Sequence, residues 1–294
     1  MVNSGGLNTI MSTKERRQRE AADWLKNLEA HHMKSINYSI KHTTSVPYDE
    51  VNIEVIPRPH YEHTKIAIFK NDTATCAITS AKRSKKRDRT CVLDFASFRH
   101  PGGGFIAGAI AQEESLCGVS GLYPCLAAKI SDYEKRYSRL NGGLYDDDYI
   151  YVQKCPFIRN GVEYKADVIA IAAPNKTSFM SIKDAIQHGK EHPDLQIEQL
   201  DYISKITEQD FSDALYQRMK VAFLVPSFYG CTKVILGAFG CGVFGNDVEE
   251  VAYNWEELIY KHQGLYRQVV FALTDPNIVD IYKDIFEKNN SKKS

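Results

Sequence analysis

The chain has 294 residues with 37 basic and 37 acidic side chains, hence no formal net charge, and 43% of its residues are apolar. This is the profile of an ordinary globular protein long enough to bury a core; it excludes a disordered chain, a collagen-like repeat and a highly basic nucleic-acid coat. No window approaches the ~20 apolar residues of a membrane helix, and the opening MVNSGGLNTIMSTKERRQRE lacks a secretory signal's apolar stretch.

Residues 1–12 are small and polar and are expected to form a disordered N-terminus. Ser12 or Thr13 then opens a helix whose apolar Ala21, Trp24, Leu25 and Leu28 recur at helical spacing, so one stripe docks on a core. Residues 36–60 contain Pro47, Pro57 and Pro59 and read as short strands and loops. The pattern becomes regular near residue 65. Short β-branched runs appear as KIAIF (65–69), TCVLDFA (90–96), DVIAIAA (167–173), KVILGAF (233–239) and RQVVFAL (267–273). Most are apolar at successive positions, as strands buried on both faces are. Helices are expected between them, near 72–83, 112–130, 207–225 and 247–262, the third capped by Thr207. Strands alternating with helices give an α/β protein with a mostly parallel sheet. The polar stretch 176–206 reads as an excursion from the sheet with one short helix. Segment 81–90, AKRSKKRDRT, carries six basic residues and one acid. In a neutral chain with no interleaved aromatics, it reads as a solvated helix end and loop rather than a nucleic-acid patch.

Seven cysteines, at 76, 91, 117, 125, 155, 231 and 241, are scattered without a C-x-x-C pair. They point to a reducing, cytosolic-type compartment and to neither a disulfide framework nor a zinc site. A nuclear address or delivery into another cell stays open.

Two strands end in glycine clusters that lead into helices. After TCVLDFA comes SFRHPGGGFIAGAIAQEES, where Gly102, Gly103 and Gly104 let backbone N–H groups approach a ligand. After KVILGAF comes GCGVFGNDVEE, with Gly240, Gly242 and Gly245. Ligands of open α/β sheets bind beyond the carboxyl ends of strands, and two such loops can hold one diphosphate between them. Neither loop has the Gly-Lys-Ser/Thr of nucleoside triphosphatases, and no acidic residue closes a strand about 20 residues beyond the first, as a dinucleotide fold requires. Gln112-Glu113-Glu114 follows the first loop. Acids beside an anion site repel the ligand unless they serve it. Successive helical residues do not share a face, so one glutamate is expected on sugar hydroxyls and the other at a scissile bond. Glycoside cleavage needs an acid for the leaving oxygen and a route for water.

The segment VLDFASFRHPGGGFIAGAIAQEESLCGVSGLYPCL, a glycine triplet followed by Gln-Glu-Glu, resembles the signature of microbial-type poly(ADP-ribose) glycohydrolases, a branch of the macrodomain fold. The run VILGAFGCGVFGND and the later YRQVVFALTD resemble the same family's second phosphate loop and C-terminal end. The similarity spans roughly residues 65–275, and helix 13–32 sits where the family carries an accessory helix. The resemblance implies a macrodomain-like three-layer sandwich with a mixed, mostly parallel sheet and an ADP-ribose cleft at the strand ends. It divides the chain into the disordered 1–12, an accessory helical segment 13–60 and a catalytic domain 61–294. It implies that Glu114 is the catalytic acid and then the base for water, that Glu113 binds ribose hydroxyls, and that Gln112 fixes the catalytic loop. It also implies that Gly102, Gly103 and Gly104 line the distal ribose and diphosphate. Gly240, Cys241, Gly242 and Val243 would wrap the diphosphate through backbone N–H groups, with Phe244 on the distal ribose and Asn246 among the substrate-binding residues. Many relatives carry Asn where LDFAS has Asp94 or Ser97, the residues expected to grip that ribose. No metal and no cofactor are implied, and the partners are ADP-ribose polymer or ADP-ribosylated proteins, with no membrane and no direct nucleic-acid contact.

Three readings stand. The first is a glycohydrolase that cuts ribose–ribose linkages of poly(ADP-ribose); the second is a hydrolase of single ADP-ribose units on proteins. The third is a non-catalytic ADP-ribose reader, which the two carboxylates argue against, because a reader needs no acid beside an anion. Asp146-Asp147-Asp148 reads as a bare solvent loop, and Arg99-His100 as a surface turn.

Overall fold

The computed structural model describes residues 12–54, 57–83, 88–137, 141–189 and 195–290. Helix α1 (Thr13–His31) starts at a capping box in which Ser12 and Glu15 satisfy each other's backbone N–H groups. It is followed by α2 (Met33–Lys41), β1 (Thr43–Val46), β2 (Lys65–Lys70), α3 (Thr73–Lys82) and β3 (Thr90–Phe95). Three short helices, α4 (Gln112–Cys117), α5 (Leu122–Ala127) and α6 (Ile130–Tyr137), lead into β4 (Tyr149–Arg159) and β5 (Val162–Ile171). The chain continues through α7 (Lys176–Gln187), α8 (Ile197–Lys205), α9 (Glu208–Phe228) and β6 (Lys233–Leu236), then α10 (Val248–Lys261), β7 (Gln268–Leu273) and α11 (Pro276–Asn290).

The seven strands form one mixed sheet in the order β1-β4-β5-β3-β6-β7-β2. The five from β5 to β2 run parallel, and β4 is antiparallel to both β1 and β5. Side chains alternate across the parallel strands. Cys91, Leu93, Val234, Leu236, Val269 and Phe271 face a core shared with Leu215, Met219, Trp255 and Tyr282 of α9, α10 and α11. Val92, Val168, Ala170, Ile235 and Val270 face the other core, with Ala77, Leu116 and Leu126 of α3, α4 and α5 and Ala21 of α1. Helices thus cover both faces, which is why the strands read as continuous apolar runs. The architecture is the macrodomain-like three-layer sandwich expected.

Several local expectations need correction. The helix expected over 112–130 is broken after Cys117 and again before Leu122, because Gly118 and Gly121 interrupt it and Ser120 bridges to Phe157 of β4. The start of the 36–60 stretch is helical to Lys41, and β1 then joins the sheet edge. The excursion 176–206 holds two helices, α7 and α8, around a small core of Phe179, Ile182 and Ile203. Within the basic segment, 84–87 lie outside the described residues, but Arg89 turns inward to Asp167, 2.7 Å away. The disordered N-terminus expected over 1–12 also lies outside the described residues, apart from Ser12. The acidic triplet is no solvent loop: Asp148 is buried against Arg136 and Asp147 holds buried Arg218, both at 2.8 Å. All seven cysteines are free thiols.

Candidate active site

Strand β3 sits at the centre of the sheet, and its carboxyl end carries the first glycine loop. Gln112 ties α4 back onto that strand: its Oε1 accepts from Phe95 N–H at 2.9 Å and its Nε2 donates to Leu93 O at 2.8 Å. This double bond continues the backbone ladder with a side chain and fixes where α4 begins. The next two residues then point at the glycine loop. Glu113 Oε2 accepts from Ser97 N–H at 2.8 Å, and Glu114 Oε1 accepts from Gly104 N–H at 2.7 Å. The two carboxylates thus take different backbone partners, although both approach Gly103. A Cβ placed on Gly103, whose φ is +58°, would lie 2.5 Å from Glu114 Oε1 and 2.8 Å from Glu113 Oε2. Only glycine fits there.

Asp94 completes an acidic cluster. Its side chain is fully buried, and neither of its oxygens has a hydrogen-bond partner among the described residues. Burial, and then the charge of Glu114, push its carboxyl well above the usual range. Glu113 is also raised well above its usual range, first by burial and then by Asp94, against the opposing pull of the Ser97 N–H. Such a cluster retains a proton where ordinary carboxylates have lost theirs. Glu114 Oε2 is buried and also has no partner in the described structure, so it is the free oxygen of the residue whose Oε1 is fixed.

The second loop follows β6. Cys241 N–H bonds to Ala238 O, Gly245 N–H to Gly242 O and Asn246 N–H to Gly240 O. No described hydrogen bond uses the N–H groups of Gly242, Val243 or Phe244, which are the donors an anion needs. Asn246 Nδ2 fastens the loop to Pro174 O at 3.0 Å, and Thr177 N–H at the start of α7 holds Phe244 O at 3.1 Å. The Cys241 thiol is pushed up to about 12 by burial and then by Asp247 and Glu250, so it remains neutral and contributes through its backbone.

Between the loops lies a cavity of about 570 Å³. Phe95, Gln112, Ala173 and the run from Gly240 to Phe244 form one part of its wall, and Asp72, Thr73, Thr274, Asp275 and Ile278 the far end. Cys241, Gly242, Val243 and Phe244, expected at the diphosphate and ribose, thus line this cavity. Asn246 is buried behind the loop. Gly102 and Gly104 pack on Tyr123 and Ala109, and Gly103 packs on the acids, so the triplet shapes the carboxylates from behind. Asp94 lies within the acidic cluster, and Ser97 uses its Oγ to accept from the Arg99 and His100 N–H groups.

Sequence reasoning missed the aromatic chain that links the loops. Phe98 stacks on Tyr145 at 4.3 Å, and Tyr145 meets Phe244 edge-on at 6.2 Å. Tyr145 adopts φ +61°, held by reciprocal bonds with the Asn141 side chain. Arg136 lies over the Phe98 ring and bonds to Phe98 O, while Arg218 bonds to Leu144 O and Ala172 O. The two buried arginines thereby anchor this chain's Phe98 end and the residue before its middle member, Tyr145. The signal available was the Gly142-Gly143 pair before Tyr145, a turn in front of an aromatic.

Comparison with known proteins agrees with this geometry. Residues 18–160 match the family model described as microbial-type PARG, catalytic domain. Among solved structures, the chain is similar to poly(ADP-ribose) glycohydrolase from Thermomonospora curvata, with 23% identity, a TM-score of 0.70, and coverage of 92% of this chain and 98% of that one. The same enzyme bound to the inhibitor ADP-HPD matches at 24% identity with a TM-score of 0.69, covering 92% and 99%. The Deinococcus radiodurans enzyme in complex with ADP-ribose matches at 25% identity and a TM-score of 0.67, over 86% of this chain and 97% of that one. No curated protein matches the sequence. Residues 18–160 thus resemble the microbial-type PARG catalytic domain, and the chain as a whole carries the fold of the bacterial poly(ADP-ribose) glycohydrolases.

Proposed function

We propose that the protein hydrolyses the ribose–ribose O-glycosidic bonds of poly(ADP-ribose), working from terminal units and releasing ADP-ribose. The observation that carries this reading is the division of labour on Glu114: Oε1 is fixed by the Gly104 N–H, while the buried Oε2 has no partner among the described residues, on a helix whose Gln112 and Ser115 line the cleft where the second loop offers unpaired N–H groups. The diphosphate takes the N–H groups of Gly242, Val243 and Phe244, which places the distal ribose near Phe244 and the carboxylates. Glu114 gives its proton to the departing oxygen as the bond from C1 of the distal ribose breaks. The same carboxylate then takes a proton from water as the water oxygen bonds to that carbon. Glu113, anchored on Ser97, accepts from ribose hydroxyls. Burial holds the carboxyls of Asp94 and Glu113 above the usual carboxylate range beside that acid.

Incubation with labelled polymer tests the reading: free ADP-ribose is the expected product. Absence of release at every pH, by a protein that binds ADP-ribose, would overturn it. Glu114→Gln keeps the shape and the Gly104 bond but cannot donate a carboxylic proton. Turnover is therefore expected to fall by roughly 10²–10⁴ while ADP-ribose affinity is retained.

A further inference from the structure

A second cavity, of about 230 Å³, lies between α1 and the loop that carries the acids. Glu114 is in its wall, and Ile110 and Ser115 belong to both cavities, so the two meet along that ridge. The remaining walls come from α1, through Arg17, Glu20 and Trp24, and from Phe105. Helix α1 is pressed onto the loop that carries the acids. Gln18 Nε2 donates to Ala107 O at 3.3 Å and Arg17 Nη1 to Gly108 O at 3.4 Å, and Trp24 Nε1 donates to Ser120 O at 3.1 Å. A Cβ on Gly108, whose φ is +76°, would lie 2.7 Å from Lys14 O, so the close approach of α1 depends on that glycine.

A glycosidic bond held at Glu114 has its sugar on one side and its leaving group on the other. If the proposed hydrolase activity holds, the large cleft takes the ADP-ribose that is released, and the leaving chain must pass the ridge of Ile110 and Ser115. We propose that the cavity under α1 is the leaving-group subsite and receives the adenosine of the next ADP-ribose unit, whose 2′ oxygen is the one protonated. Trp24 and Phe105 supply apolar and aromatic surface for the base, which sits one carbon from that oxygen. Glu20 is paired with Arg16 at 3.6 Å, which leaves Arg17 as the cation for the diphosphate of the departing unit. The chemistry selects a nucleoside diphosphate as leaving group over a small alcohol, and it makes α1 a specificity element.

The test compares wild type, Arg17→Glu and Arg17→Lys on poly(ADP-ribose) and on an ADP-ribose O-glycoside of a small alcohol, with ADP-ribose affinity measured alongside. Charge reversal is expected to lower kcat/KM on polymer roughly tenfold, the effect of one charge-assisted phosphate contact. The polymer-to-glycoside preference falls with it, and the loss is larger at low salt. Arg17→Lys restores most of the preference. An equal loss on both substrates, or none on polymer, would overturn the subsite. A wild type that releases nothing from polymer sinks the activity itself, whereas polymer release indifferent to Arg17→Glu sinks only this cavity's role.

Discussion

Glu113 and Glu114 are neighbours in the chain held by different backbone donors, Ser97 N–H for the first and Gly104 N–H for the second. Gly103 lies between them, and its missing side chain is what lets both carboxylates close on the loop. Gly103→Ala is expected to cost about 1–2 kcal/mol of folding stability for the left-handed backbone alone. The larger effect falls on catalysis, because displacing both acids by a fraction of their reach lowers turnover by roughly 10². Turnover and thermal unfolding of the variant check this together; near-normal turnover would contradict it. Asp94 supports a prediction of a different kind. The folded protein holds its proton above the range where an unfolded aspartate releases it, about pH 3.9. The native state therefore binds more protons than the unfolded chain, and stability falls as pH rises from there. Asp94→Asn removes that slope. Its Tm is expected to exceed that of wild type at neutral pH by a margin that shrinks toward about pH 4. Melting curves across that range check it, and a pH-independent difference would count against it.

The elements divide into those legible from the sequence and those whose length or pairing depends on distant partners. β2, β3, β6 and β7 announce themselves as short apolar runs, and α9 and α10 as the helices expected near 207–225 and 247–262, the first capped by Thr207. The β4–β5 hairpin is different. Its turn at Asn160-Gly161, both at positive φ, is a strong local signal, but β4 mixes buried Tyr149, Tyr151 and Cys155 with a bulge at Lys154 that breaks any simple period. α11, over Pro276–Asn290, is equally absent from the sequence-based reading, although Val279, Tyr282 and Phe286 recur at helical spacing. The buried arginines were illegible for a physical reason. Arg218 lies on α9 among apolar neighbours, and only the fold brings Asp147, Leu144 O and Ala172 O around its guanidinium. Arg218→Met would leave those acceptors without their donor. The expected cost is about 3–5 kcal/mol, read as a lower denaturation midpoint, together with a weaker hold on the Tyr145 turn. Unchanged stability would show that the pair is dispensable.

At the scale of the whole molecule, the site exists because β3 and β6 are neighbours. Their parallel pairing brings the carboxyl ends of two distant segments side by side, one leading to the acids and the other to the second glycine loop. The two motifs were readable because each is local: glycines after a strand, acids at a helix start. The cleft between them, the aromatic chain from Phe98 to Phe244 and the seating of α1 on the acid loop were not, since each depends on residues far apart in sequence. The account comes down to the proposal that one oxygen, Glu114 Oε2, meets the linkage to be cut. Single-turnover release of ADP-ribose from polymer by Glu114→Gln, read beside the Kd of that variant for ADP-ribose, tests this most directly. Release slowed at least about a hundredfold with Kd nearly unchanged is the predicted result. Release at the wild-type rate, or loss of binding and turnover together, would contradict it.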